Sequence, residues 1–96
     1  MLHTVNKSPH SQSALADCLR VRGEHDAILL IEDGVYAALA GNAWLAPLRA
    51  AGTVYALAPD VAARGLEQRV AEGIQVVDYA GFVQLCCEHA TVQSWY

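Results

Sequence analysis

The apolar residues concentrate in one stretch, Asp26–Asn42, which reads DAILLIEDGVYAALAGN. Its first part, Ala27–Ile31, is an unbroken apolar run. A strand wetted on one face would alternate, so this run predicts a strand buried on both faces, as in a parallel sheet covered by helices. Glu32-Asp33-Gly34 then breaks the pattern with two acids and a residue tolerant of positive φ. Val35–Ala40 is predicted helical, with Gly41-Asn42 closing it. Strand, acidic turn and short helix make half of a βαβ unit. Sites in open α/β sheets form at the carboxyl ends of strands, so Glu32, Asp33 and Gly34 are expected on any working edge.

The rest of the chain repeats this alternation. Leu2–Val5 is a short strand candidate, and Asn6–Ser13 is a loop rich in capping residues, with Ser11 or Ser13 able to cap the next helix. Helical spacing over about Ser13–Arg22 puts Ala14, Leu15, Cys18 and Leu19 on one face and Asp17 and Arg20 outside, with Gly23 as the stop. Ala43–Ala51 is predicted helical around Trp44, Leu45 and Leu48, with Pro47 counting against it. Thr53–Ala58 has the β-branched and aromatic content of a strand. Pro59-Asp60 opens a short helix through Ala63, and Leu66–Gly73 reads as a helix end or a loop. Ile74–Val77 is a further strand, and Asp78 caps a last helix, roughly Tyr79–Glu88, whose inner face is expected to carry Phe82, Val83 and Cys86. The tail Thr91–Tyr96 has no assigned element. The sum is a single α/β domain over residues 1–96, a parallel sheet of about four or five strands with helices on both faces.

Composition adds a partner to this picture. Hydrophobic residues make up 54% of 96 residues and charged residues 17%, more apolar surface than so small a core hides. Gly34–Leu48, the longest stretch without a charge, falls short of the roughly 20 apolar residues a bilayer span needs, so the surplus predicts a protein interface rather than a membrane. With a net charge of −4 and six scattered basic residues, direct nucleic-acid binding is not expected. Met1–Val5 shows no secretory signal, and three cysteines, two of them adjacent, do not read as a disulfide framework; a cytoplasmic chain with reduced thiols is expected.

Cys18 is the one candidate for chemistry. It could accept or pass sulfur as a thiolate or persulfide, which requires exposure and a lowered pKa. It also lies on an apolar stripe, more than one turn into its helix, where a buried packing role is the alternative. Cys86 and Cys87 point about 100° apart on a helix and read as packing residues. His3, His10, His25 and His89 show no metal-ligand spacing with the cysteines, so no metal is expected. With no Gly-rich phosphate loop or nucleophile elbow, no cofactor is expected either. Asp33 could orient a reactive group, or simply hydrogen-bond within its turn.

MLHTVNKSP at the start, EDGVYAAL at Glu32–Leu39, Tyr55-Ala56-Leu57, Ala63-Arg64-Gly65, Val77-Asp78-Tyr79 and the ending at Trp95 resemble the TusB/DsrH family nearly throughout the chain. NKSP, EDGVYAALAG and VQSWY look closer to DsrH of the DsrEFH complex than to enteric TusB. The resemblance implies a small α/β subunit of a cytoplasmic heterohexamer, built from two copies each of three related chains. Its partners would be DsrE/DsrF-like or TusD/TusC-like subunits, with a DsrC/TusE-like protein as sulfur acceptor. It further implies a sulfur relay, serving sulfur oxidation or 2-thiolation of the tRNA wobble uridine, rather than a stand-alone enzyme. The principal sulfur-carrying cysteine of such a complex belongs to the DsrE/TusD partner. Cys18, matched by a cysteine in DsrH, would then be a secondary or regulatory thiol. An assembly subunit without sulfur chemistry, or a lone cysteine-dependent enzyme, are the alternatives.

Overall fold

A computed structural model of the chain describes residues 1–10, 13–23 and 25–96. The expectation that Ser11 caps the first helix lies outside the described residues. Five parallel strands form one sheet in the order β4-β3-β2-β1-β5. They are β1 (Leu2–Val5), β2 (Ala27–Leu30), β3 (Val54–Leu57), β4 (Gln75–Val77) and β5 (Val92–Trp95). The fifth strand is the unassigned tail: its backbone pairs with β1 in the register Leu2↔Val92 to Val5↔Trp95.

Every residue of β1 and β2 is buried, as the unbroken run in Ala27–Ile31 demands of central strands. Between β1 and β2 runs α1 (Ala14–Val21), with Leu15 and Cys18 buried. Ser13 stands at its N-cap, but the hydroxyl bonds the Asp17 carboxylate and caps no backbone N–H. After β2 comes a 3-10 helix, Glu32–Ala38, then α2 (Leu45–Ala51). Pro47 is tolerated because it sits in the first turn of α2, where N–H groups lack intrahelical partners anyway. The next crossover holds α3 (Ala58–Ala63), with Pro59 in its first turn, followed by turns that carry buried Leu66 and Ala71. The last crossover is α4 (Tyr79–Glu88), and here the capping expectation holds: the Asp78 carboxylate accepts from Gly81 N at 2.8 Å.

The sheet's two faces are unequally covered. From β1 through β4 the chain steps across the sheet in one direction, and right-handed crossovers then place the connecting helices on one side. That front layer holds the main core, including Val5, Leu15, Cys18, Ile28, Leu30, Val35, Leu48 and Val61. The step from β4 back to β5 reverses direction and lays α4 alone on the other side, over a core of Leu2, Ala27, Leu29 and Leu85. Helices on both faces is thus the right class, with a thick front and a thin back. One inner-face expectation for α4 fails. Val83 is 63% exposed, while Leu85 takes the buried position and Phe82 and Cys86 pack partly against it. With Leu85 inward, Val83 lies two residues, about 200°, around the helix and must point away.

Candidate functional site: the strand ends and the buried thiol

Glu32, Asp33 and Gly34 do lie at the carboxyl edge, directly after β2. The positive φ of that turn, 48°, belongs to Glu32 and not to Gly34. Gly34 is required for a different reason: a Cβ there would stand 2.1 Å from the Val5 carbonyl oxygen. That oxygen also accepts from Ile31 N at 3.0 Å, so Gly34 lets the 3-10 helix start against the end of β1. Around the turn, Glu32 N donates to Asp60 Oδ2 at 2.7 Å, and Asn6 Nδ2 donates to Glu32 Oε2 at 3.4 Å. Asp33 faces Arg64, whose Nε and terminal nitrogen both donate to Oδ1, at 3.1 and 2.8 Å. The pairing holds the guanidinium still more firmly protonated. From the sequence, Asp33 is expected to orient a reactive group or to hydrogen-bond within its turn; the bonds it makes among the described residues are instead a long-range tie to Arg64 between two crossovers.

Cys18 is fully buried, 0% exposed, in the front core. Desolvation pushes its thiol up to about 11; Arg22, one turn further on, acts to lower it, and Asp26 raises it again. In the isolated fold the sulfur is therefore a neutral thiol at pH 7, and it is the thiolate that attacks or carries sulfur. The Arg22 Nε is buried and donates to nothing among the described residues, which leaves one cation beside the sulfur with unused capacity. Cys86 is half-buried on the back face and Cys87 is exposed, and all three thiols are free.

A constellation that the sequence did not announce lies beneath α1. His3, 2% exposed, points its ring to the front face. Trp95 Nε1–H donates to His3 Nδ1 at 3.0 Å, and indole is a donor only, so Nδ1 is unprotonated and Nε2–H donates to Asp26 Oδ2 at 2.7 Å. Asp26 also accepts from Gly23 N at 2.7 Å and from the α-amino group at 3.0 Å. The His3 bond, then the Gly23 bond and the α-amino group, hold its carboxyl well below the usual carboxylate range. Both ring nitrogens of His3 are thus engaged, and the ring is not free to act as a base for Cys18. The available signal was small: a histidine in an otherwise buried strand needs partners. Among the described residues no group of His, Cys, Asp or Glu side chains could hold a metal ion. No helix there is long and apolar enough to cross a membrane.

A small parallel sheet with an unevenly covered pair of faces and a buried thiol defines the class of α/β chain. The same fold occurs in the crystal structure of the ychN protein from E. coli, with a TM-score of 0.79 and 97% of each chain covered at 18% identity. The pattern of the family described as DsrH like protein matches residues 7–92. Protein TusB of Escherichia coli O1:K1 / APEC is 44% identical over 96 residues, covering 99% of this chain and 100% of that protein. Protein TusB of Escherichia coli strain K12 / DH10B is 43% identical over the same span. The chain belongs to the TusB/DsrH family.

Proposed function

We propose that this chain is a docking subunit of a cytoplasmic sulfur-relay heterohexamer of the DsrEFH/TusBCD kind. Persulfide sulfur would pass between the proteins of that complex, toward 2-thiolation of the tRNA wobble uridine or in sulfur oxidation. The observation that carries the docking role is the thin back layer: one helix over the sheet, with Tyr79, Val83, Val92 and Tyr96 exposed. Tyr79 and Val83 lie one turn apart on α4, and large apolar side chains left open to solvent on a small acidic chain mark a surface that a partner covers. Family membership supplies the kind of partner, DsrE/DsrF-like or TusD/TusC-like subunits, with a DsrC/TusE-like protein receiving the sulfur.

The buried, neutral state of Cys18 supports placing the principal sulfur carrier on a partner chain. Cys18 then contributes as a secondary thiol only where assembly opens α1 and lets Arg22 stabilise the thiolate. Co-expression with the partner subunits of the same genome, followed by size-exclusion chromatography, tests the docking role. A stable lone monomer that ignores those partners overturns it. Polysulfide loading of the assembled complex, read by mass spectrometry, tests the thiol. A persulfide on Cys18 is expected there, and labelling confined to Cys86 or Cys87 makes the chain an assembly subunit without sulfur chemistry. With the 2-thiouridine content of tRNA and the rate of sulfur oxidation measured in a deletion strain, the affected readout distinguishes the two fates.

A further inference from the structure

A cleft of about 350 Å3 opens beside the 3-10 helix, away from Cys18 and independent of the relay assignment. Tyr36, Leu39, Asn42, Trp44, Arg69 and His10 line it. Its walls are fixed by backbone ties: Leu39 bridges Val70, Ala40 N donates to Arg69 O at 2.8 Å, and Ala71 N donates to Ala38 O at 2.8 Å. The Asn42 side chain is spent on the same wall, donating to Tyr36 O at 3.0 Å and accepting from Trp44 N at 3.1 Å. The recess is therefore preformed, as ligand sites mostly are.

Its chemistry is out of keeping with the rest of the chain. The protein carries ten acids and six Lys and Arg residues, yet among the described residues the cleft is lined by Arg69 and His10 and by no carboxylate. Arg20 and Arg64 are each paired with an aspartate, whereas Arg69 is exposed and joins no ion pair among the described residues. Trp44 and Tyr36, both lining the recess, are half-buried, which leaves part of each side chain accessible. Aromatic rings hold a flat group by stacking, and an unpaired guanidinium holds a carboxylate or phosphate through charge-assisted hydrogen bonds.

We infer that this cleft binds a small organic anion with a planar ring, its ring against Trp44 and Tyr36 and its acidic group on Arg69, with His10 at the rim. Titration of the isotope-labelled full chain with adenosine 5′-monophosphate and with indole-3-acetate, followed by NMR, tests it; the two probes carry the same design with phosphate and with carboxylate. At least one of them is expected to shift the Trp44 indole N–H and the Arg69 Nε–H with a Kd below about 1 mM, while adenosine and inorganic phosphate each bind at least about tenfold more weakly. Arg69→Glu and Ala40→Glu, both at exposed positions, are expected to weaken that binding about tenfold or more while the circular dichroism spectrum stays unchanged. Absence of binding by both probes overturns the inference. So do binding of inorganic phosphate alone at equal strength, shifts centred on Trp95, or full binding retained by either folded variant.

Discussion

The front and back layers of this molecule share one sheet and differ in how they end at solvent. In front, α1, the 3-10 helix, α2 and α3 close over Val5, Ile28, Leu30 and Leu48 and leave these side chains dry. Behind, α4 alone covers Leu2, Ala27, Leu29 and Leu85, with Tyr55, Val77 and Phe82 half-open at the margins. Hydrophobicity does not separate the layers; the direction of the chain does. Three crossovers of one hand fill one side, and only the returning crossover is left for the other. The front is thus the fully closed layer, and the back is the open one on which the proposed docking role rests.

Truncation of one leucine in each layer tests that contrast most strongly. Leu48→Ala is expected to cost about 4 kcal/mol and Leu85→Ala about 2 kcal/mol, because the half-open back can collapse around a lost side chain while the closed front cannot. Equal losses in urea denaturation would remove the asymmetry. Gly34→Ala probes the front at its edge. Its Cβ meets main-chain oxygen and not a flexible side chain, so a loss of about 2–3 kcal/mol is expected, with earlier unfolding of the β1–β2 pair in hydrogen exchange.

A back-layer substitution should behave in the opposite way. Val83→Asp is expected to change the stability of the chain alone by less than about 0.5 kcal/mol, yet to disrupt co-elution with partner subunits. Destabilisation of the lone chain with assembly intact would mean that Val83 serves the fold.

Acid weakens the ties of β1 to its neighbours through Asp26, which bonds His3 and the α-amino group. Because Asp26 titrates lower in the fold than in the unfolded chain, its contribution is complete above the ordinary value of 3.8 and is lost as pH falls below it. Asp26→Asn should therefore lower the midpoint of urea unfolding at pH 7 and reduce its decline below pH 4. An unchanged acid limb would show that other carboxylates control it.

The smallest effect concerns the thiols. A thiol-specific reagent at pH 8 is expected to modify exposed Cys87 first, half-buried Cys86 next and Cys18 only through opening of the front layer. The raised folded pKa of Cys18, about 11 against 9.0, makes its contribution complete at neutral pH and declining from pH 9 to 11 as the unfolded thiol ionises. Cys18→Ala should flatten that alkaline decline.

Much of the fold was legible because its signals are local. The apolar run at Ala27–Ile31 announced a central parallel strand, and Asp78 announced the start of α4. Strand β5 was not legible, since an edge strand with Val92, Gln93 and Ser94 all exposed carries little apolar pattern, and pairing with β1 is what makes it a strand. Val83 misled for a related reason: three apolar neighbours on one helix do not say which of them meets a sheet.

The sequence by itself determined the alternation of strands and helices, the apolar excess that calls for a partner, the placing of Glu32-Asp33-Gly34 at a strand end, and the family. Each depends on neighbours within a few residues or on summed composition. Tertiary structure alone decided that His3 meets Asp26, 23 positions away, and Trp95, 92 positions away, because parallel strands bring remote segments side by side. It also decided that Gly34 answers a close approach to Val5, and that Cys18 lies sealed beside Arg22 at the base of α1. Burial is set by what lands on a helix from elsewhere in the chain, and the spacing of residues along that helix does not contain it.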